Sequence, residues 1–415
     1  MRKKALIIGG GIAGPVTAMA LQRAGIESVI YEAYDTSAGL SAGAFLTVAV
    51  NGLDALSTLD AHEPVLDAGF PTTEIEFFSG TGKRLGEVPI GGMLADGTVT
   101  HTIKRADLYR ALHDEAIRRG IRIKHGRRLV DAETTPDGGV VVRFEDGTRA
   151  AGDLLIGADG IHSRTRRIID PSAPEPRYTG LGNIGGFTRN ASVSTKPGNY
   201  AMVWGKRAFF GYTVSPSGEI WWFANPPSAG ELTGDEMATT EQRKQHLIRL
   251  FAEDATPAVE IIQATTGELP ATNQYDMPSV PTWYRGSMII VGDAAHATSP
   301  SSGQGASMAI EDAVVLAKCL RDLPDIQQAF AAFDQLRRER VERVVAQGAR
   351  SSSGKAAGPI ARVLRDLMLP LILKRVASGS EKSFAWLYDY HISWDEKLAN
   401  TAGRGLPKPA GELMR

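Results

Sequence analysis

Cysteine is nearly missing from this sequence: Cys319 is the only one in 415 residues. That excludes an internal disulfide and any site built from several thiolates, and it suits a reducing, cytoplasmic setting. An excess of charge of one sign is missing too. Lys plus Arg (46) and Asp plus Glu (47) leave a net charge of −1, so no long-range field gathers nucleic acid or an anionic membrane at the surface, and a small, largely neutral ligand fits better. No apolar run reaches the ~20 residues a bilayer span needs. The later candidate, Leu367 to Leu373, is interrupted by Pro370, is followed by Lys374-Arg375, and reads as a packed helix end. His101, His113, His162 and His391 lack ligand spacing, so no metal is expected. Met1-Arg2-Lys3-Lys4 ahead of an apolar stretch ending in Ala18-Met19-Ala20 imitates a secretory signal, but Gly9-Gly10-Gly11 would weaken its helical core, and export is not expected.

What is present is enough apolar material, 43% of the chain, for a large core or two joined ones. Ala5-Leu6-Ile7-Ile8 is an unbroken apolar run closed by glycines, the pattern of a strand buried on both faces of a parallel sheet. A helix from Ala13 to Ala24, ended by Gly25, and a strand at Ser28 to Tyr31 complete a β-α-β unit. A further helix is predicted at 106–119 and strands at Ile121 to Lys124, Val140 to Phe144 and Asp153 to Ile156. From about Pro171 to Pro281 the texture becomes that of a mostly antiparallel sheet, with aromatic runs at Tyr200 to Trp204, Phe209 to Val214 and Ile220 to Phe223, and one helix at Thr240 to Glu253. A buried strand at Met288 to Val291 precedes a helix from Gln304 to Leu320. Two amphipathic helices, Ile326 to Ala349 and Ile360 to Ala377, follow, split by a Ser351-Ser352-Ser353-Gly354 linker.

Gly9-Gly10-Gly11-Ile12-Ala13-Gly14 fits the G-x-G-x-x-G dinucleotide fingerprint, between strand and helix as that motif must lie. Gly9 permits the tight turn, Gly11 lets backbone approach a diphosphate, and Gly14 allows close packing of helix on strand. The helix start then offers free N–H groups and about half a positive charge. Glu32, with Ala33 beside it, ends the second strand, where an acid accepts ribose hydroxyls and repels a 2′-phosphate. FAD or NAD is therefore expected at this turn rather than NADP; the plain alternative for Glu32 is a surface carboxylate.

Far downstream, Arg285 to His296 contains Gly292-Asp293 after an apolar strand, and Gly157-Ala158-Asp159-Gly160-Ile161-His162-Ser163 with Arg166 lies between the two glycine segments. With these three motifs in order, the sequence resembles the FAD-dependent aromatic hydroxylase family, the class A flavoprotein monooxygenases. The resemblance implies an α/β chain: a Rossmann-like FAD-binding domain (1–70, 96–170, 282–335), an inserted, mostly antiparallel substrate domain (71–95, 171–281), and C-terminal helices (336–415). It implies non-covalent FAD held by Gly9, Gly11, Ile12, Ala13, Gly14, Glu32, Ala33, Arg105, Asp159, Gly292, Asp293, Pro300, Gly303, Gln304, Gly305 and Ala306. Asp293 would take the ribityl hydroxyls, and the loop from Pro300 to Gly305 would lie against the isoalloxazine ring. Asp159 could instead be a turn residue, and His296 an acid or base rather than a structural hydrogen-bonding group.

The resemblance further implies NADPH or NADH as transient co-substrate and O2 as oxidant, with a flavin C(4a)-hydroperoxide oxygenating a small aromatic or polyketide-like substrate. No catalytic side chain is required, and none is assigned. Trp204, Phe210, Tyr212 and Trp222 are candidates for an aromatic substrate pocket, with ordinary sheet core as the alternative. Lys206 and Arg207 read as a solvated turn, with contact to an acidic group on the substrate as the alternative. A flavin-dependent halogenase is disfavoured because Ile220-Trp221-Trp222-Phe223 does not fit the W-x-W-x-I-P signature. A non-redox cyclase or isomerase, an NAD dehydrogenase and a catalytically silent nucleotide-binding protein remain as alternatives. A monomer or homodimer is expected.

Overall fold

The apolar runs assemble edge to edge because each is flanked by helices that cover both faces. In the computed structural model, which describes residues 3–35, 44–232, 239–356, 359–378 and 380–398, one six-stranded sheet runs Tyr284–Arg285, Met288–Ile290, Leu154–Gly157, Lys4–Ile8, Glu27–Tyr31 and Arg122–Lys124. All neighbours are parallel except the first pair. Lys4–Ile8 lies inside, with Glu27–Tyr31 on one side and Leu154–Gly157 on the other, so the chain reverses its winding there and opens a crevice at the strands' C-terminal edge. The helices Ala13–Arg23 and Gly305–Asp322 pack against each other beside it.

A seven-stranded sheet runs Ala271–Asp276, Arg177–Thr188, Ile220–Asn225, Phe209–Val214, Asn199–Trp204, Glu74–Ser79 and Arg84–Pro89. It is antiparallel apart from the Asn199–Trp204 and Glu74–Ser79 pair. The architecture is thus α/β, a Rossmann-like unit carrying an inserted, mostly antiparallel sheet, with helices at the C-terminal end. The helices Thr240–Phe251 and Ala258–Ala264, the second not foreseen from sequence, cover one face of the sheet through Leu247, Phe251, Ile261 and Ile262. The other face meets the nucleotide-binding unit, where Phe45 lies within 5.6 Å of Trp221 and 6.3 Å of Phe187 and Tyr200.

The C-terminal region departs from expectation twice. The helix Ile326–Ser353 runs straight through the predicted serine linker, because the Ser352 hydroxyl is bonded to those of Ser299 at 2.5 Å and Ser301 at 3.0 Å, a tertiary anchor that local propensity does not reveal. The helix Pro359–Ser378 continues through Pro370, and its apolar residues are not packed as predicted: Leu367 is 64% exposed and Leu371 73%, while Leu373 is buried against Gly86. A last helix, Ser380–Tyr388, follows. No helix among the described residues is long and apolar enough to cross a membrane.

Candidate cofactor site

The three motifs meet at the sheet's C-terminal edge and hold one another in place. A Cβ on Gly9, whose φ is +100°, would sit 2.3 Å from the Ala158 carbonyl oxygen, and one on Gly14 would sit 2.0 Å from the Gly9 carbonyl oxygen. Both positions therefore need glycine for close packing. Gly11 differs: a Cβ there would meet nothing within 4 Å, so its backbone faces open space at a helix start with no side-chain cap. Arg166, fully buried, joins the second motif to the third by donating to the Ala294 carbonyl at 3.0 Å and the Ile161 carbonyl at 2.7 Å. Gly292 closes the triangle, its Cβ position lying 3.4 Å from the Ala13 Cβ.

Several candidate side chains shape this edge from within. Glu32, buried, accepts from the Gly10 N–H at 2.6 Å and the Tyr34 N–H at 2.9 Å, so it sets the shape of the glycine turn. Ile12 and Ala33, neither fully exposed nor buried, and buried Ala13 line the same turn. Asp159 accepts from Ser163 Oγ at 2.6 Å and from the Thr165 N–H at 2.9 Å, which occupies its carboxylate inside its own turn. Burial raises that carboxyl above its ordinary range, against the pull of these bonds. The Gln304 side chain is likewise turned inward, accepting from Asn51 Nδ2 at 3.1 Å.

Two candidates remain open. Asp293 and Arg105 are exposed to the crevice, and among the described residues neither side chain makes a hydrogen bond. Burial by surrounding protein raises the Asp293 carboxyl, while His296 and Arg105 pull it back, so the acid and the guanidinium feel each other across the crevice. The helix Gly305–Asp322 starts beside them without a side-chain cap; a Cβ on Gly305 would lie 3.9 Å from Asp293 Oδ1. The adjoining Pro300–Ser302 turn and Gly303, whose carbonyl accepts from Thr47 Oγ1 at 3.2 Å, lead into that helix, with Ala306 in its first turn. Free N–H groups, a carboxylate and a guanidinium along one edge suit a ligand with diphosphate, hydroxyl and heteroaromatic parts.

Under this edge lies a charge cluster that sequence reasoning missed. Asp312 accepts from the Gly292 N–H at 2.9 Å, His296 Nε2 at 2.5 Å and Arg337 Nε at 2.7 Å. Glu311 accepts from Arg337 at 2.6 Å, from Arg340 at 2.8 and 2.9 Å, and from Asn51 at 2.6 Å. Burial alone would raise the Asp312 carboxyl, but His296 and Arg337 reverse that and hold it down to about 2. His296 is therefore a buried structural partner of Asp312. The available signal was Glu311-Asp312, two acids inside an otherwise apolar helix stretch.

The substrate-pocket candidates divide by strand alternation. Trp204 stands on the sheet face toward the nucleotide-binding unit, as do Phe209, Trp221, Phe223 and Asn225 by register. Phe210, Tyr212 and Trp222 are corrected: they point to the opposite face and pack in the core under the helices Thr240–Phe251 and Ala258–Ala264. There Trp222 donates to Thr265 Oγ1 at 2.9 Å and the Tyr212 hydroxyl accepts from Thr195 at 3.0 Å.

Comparison with known proteins agrees with this geometry. The family described as FAD binding domain matches residues 2–348. The chain is 32% identical over 343 residues to the aurachin C monooxygenase/isomerase of Stigmatella aurantiaca, covering 82% of this chain and 86% of that protein. It is 31% identical over 405 residues to the 3-amino-4-hydroxybenzoate 2-monooxygenase PtnB3 of Streptomyces platensis, covering 94% and 97%. Among solved structures it is similar to Klebsiella pneumoniae HpxO complexed with FAD and uric acid, with a TM-score of 0.81 at 27% identity over 92% of this chain and 97% of that one.

Proposed function

The chain belongs to the FAD binding domain family and is an FAD-dependent monooxygenase, and from that premise we propose that it spends NAD(P)H and O2 to place one oxygen atom in a small aromatic or polyketide-like molecule. When bound, FAD supplies the redox and oxygen chemistry, and the protein supplies binding, orientation and exclusion of water. Gly11 and the start of the helix Ala13–Arg23 would hold the diphosphate, and Asp293 the ribityl hydroxyls. The N-terminus of Gly305–Asp322 presents unbonded N–H groups and a positive dipole end, which favour negative charge on whatever lies against it by up to ~2 kcal/mol when partly buried. The aromatic sheet face opposite, with Phe45, Trp221 and Phe223, forms an apolar wall for the substrate. Relatives named for 3-amino-4-hydroxybenzoate and for a complex with uric acid support a ring substrate. The divisions 1–70, 96–170 and 282–335 against 71–95 and 171–281, a cytoplasmic setting and a monomer or homodimer belong to the same proposal.

The observation that carries this reading is the unbonded Asp293 carboxylate beside Arg105 and the uncapped helix start. Purified protein is expected to be yellow, and an aromatic substrate is expected to stimulate NAD(P)H oxidation and gain the mass of one oxygen. Asp293→Ala is expected to weaken FAD retention at least tenfold. Colourless protein that ignores added FAD, or oxidation indifferent to every compound with no oxygenated product, would sink it.

A further inference from the structure

One cation on the aromatic side of the sheet has no acid to match it among the described residues. Lys355 follows the helix Ile326–Ser353 in the short turn Gly354–Ala356. Its location is bracketed from both sides. Ser352, three residues earlier, is bonded to Ser299 and Ser301 of the loop that leads to the cofactor edge. The Cβ position of Gly354 lies 3.6 Å from the Trp204 ring on the sheet. Lys355 therefore stands between the Pro300–Gly303 loop and the sheet's aromatic face.

Its surroundings are specific. Lys355 Nζ donates to Asn225 Oδ1 at 2.8 Å and lies 4.2 Å from the Phe209 ring centre and 5.7 Å from that of Phe223. Asn225 is buried, and its Nδ2 donates to the Gly182 carbonyl and Asn183 Oδ1, both at 3.2 Å, which fixes the amide with its oxygen toward the lysine. Trp204, whose ring meets Phe209 edge-on at 5.0 Å, keeps a buried indole N–H with no acceptor among the described residues. Among the described residues the buried cations are answered, Arg337 and Arg340 by Glu311 and Asp312, Arg166 and Lys318 by carbonyls, as is half-buried Lys104 by Glu219. Among the described residues no charged group on the neighbouring elements bonds to the lysine: Arg365 pairs with Asp366 and lies 4.8 Å over the Trp204 ring, Arg362 donates to the Lys206 carbonyl, and Asp254 accepts from the Lys206 N–H through one oxygen.

An ammonium with N–H groups to spare, on a wall of aromatic rings, is chemically a receptor for an anionic oxygen carried on an apolar ring. Building on the monooxygenase reading, we propose that Lys355, oriented by Asn225, binds an acidic oxygen substituent of the substrate, an ionised ring hydroxyl or a carboxylate, and so sets specificity for acidic over neutral aromatics. Burial without a counter-charge pushes the free ammonium down to about 7, which agrees with a site that is completed by an incoming anion.

The test measures binding by calorimetry on the FAD-loaded full chain, with 2-naphthoate, 2-naphthol, 2-methoxynaphthalene and naphthalene as probes, beside NAD(P)H oxidation. Wild type is expected to bind the acidic members ten- to a hundredfold more tightly than the ether and hydrocarbon, the size of one charge-assisted hydrogen bond. Lys355→Met is expected to erase that preference, Lys355→Arg to restore part of it, and Asn225→Asp, which supplies a built-in anion, to mimic the loss. Removing an unanswered charge is not expected to unfold the chain, and retained FAD absorbance checks this for each variant. Affinity for 2-naphthoate should fall as pH rises through about 7 in wild type as the ammonium deprotonates, and stay flat in Lys355→Arg. Measured near pH 6, where the ammonium is charged, a preference for naphthoate against naphthol identifies a carboxylate as the ligand, and the reverse a ring hydroxyl. Equal affinities across the panel, no binding of either acidic probe, or a preference unchanged in Lys355→Met would overturn the proposal. Loss of substrate-stimulated NAD(P)H oxidation with the acid preference intact would instead count against the oxygenase reading alone.

Discussion

Beneath the Gly292-Asp293 segment every charged group has its partner, whereas in the crevice above it charges are left open. Asp312, Glu311, Arg337 and Arg340 use all four carboxylate oxygens and lock two helices and the segment around Trp386 and Leu387 to one another. Asp293 and Arg105 have no such bonds among the described residues. Saturated charge holds the floor rigid, and open charge is what a polar ligand completes. The contrast is sharpest under mutation. Arg337→Ala leaves Glu311 and Asp312 buried with one partner fewer and is expected to cost about 3–5 kcal/mol, read as a large drop in the melting temperature of FAD-free protein. Asp293→Ala should leave that melting temperature unharmed. Equal losses from the two would erase the distinction.

The glycine turn repeats the contrast on a smaller scale. Gly14→Ala drives a Cβ against the Gly9 backbone oxygen at 2.0 Å, so the fold must give, at about 1–3 kcal/mol or more. Gly11→Ala meets open space and should melt like the parent while losing FAD affinity. Differential scanning fluorimetry with and without FAD separates them: a Gly11→Ala protein that melts early and binds normally would reverse the assignment.

The same pair of aspartates should respond to acid with opposite sign. Asp312 is held down to about 2 in the folded protein against an ordinary value near 4, so its contribution, about 2 kcal/mol, is complete above pH ~4 and is lost as pH falls toward 2. Asp293 is raised, so its ionised form costs stability at neutral pH and the cost is relieved as pH falls through its raised value. FAD-free Asp312→Asn is therefore expected to lose acid sensitivity, and FAD-free Asp293→Asn to gain slightly in stability at neutral pH. Melting temperatures from pH 2 to 7 check both.

Much of the open region was legible in the sequence and little of the saturated one. Gly9, Gly157 and Gly292-Asp293 announce themselves because each sits at the end of an apolar strand, and Gly14 by its spacing from Gly9 at the start of the following helix, where local pattern carries the meaning. Glu311 and Arg340, on separate helices, interact only after the tertiary fold is complete. Lys355 was hidden in a serine- and glycine-rich stretch that reads as a linker until Ser352 finds Ser299. Alternation placed Phe210, Tyr212 and Trp222 on one side of the strands, but which side faces the cofactor depends on helices that lie far along the chain, and local pattern does not report it.

The two sheet faces offer the finest test of that last point. Tyr212 sits on the helix-packed side, where losing its hydroxyl removes one neutral hydrogen bond with Thr195 at 3.0 Å, worth about 1 kcal/mol. Tyr212→Phe is thus expected to lower the melting temperature by about one degree and leave the KM of an aromatic substrate unchanged. Phe223 lies on the other side, 6.0 Å from Phe45 and 6.2 Å from Phe209, so Phe223→Leu should move KM several-fold. Steady-state NAD(P)H oxidation on the two variants decides it: a KM that shifts in Tyr212→Phe and not in Phe223→Leu would put the substrate on the face that the helices cover, and the dry side of the sheet would have to open for catalysis.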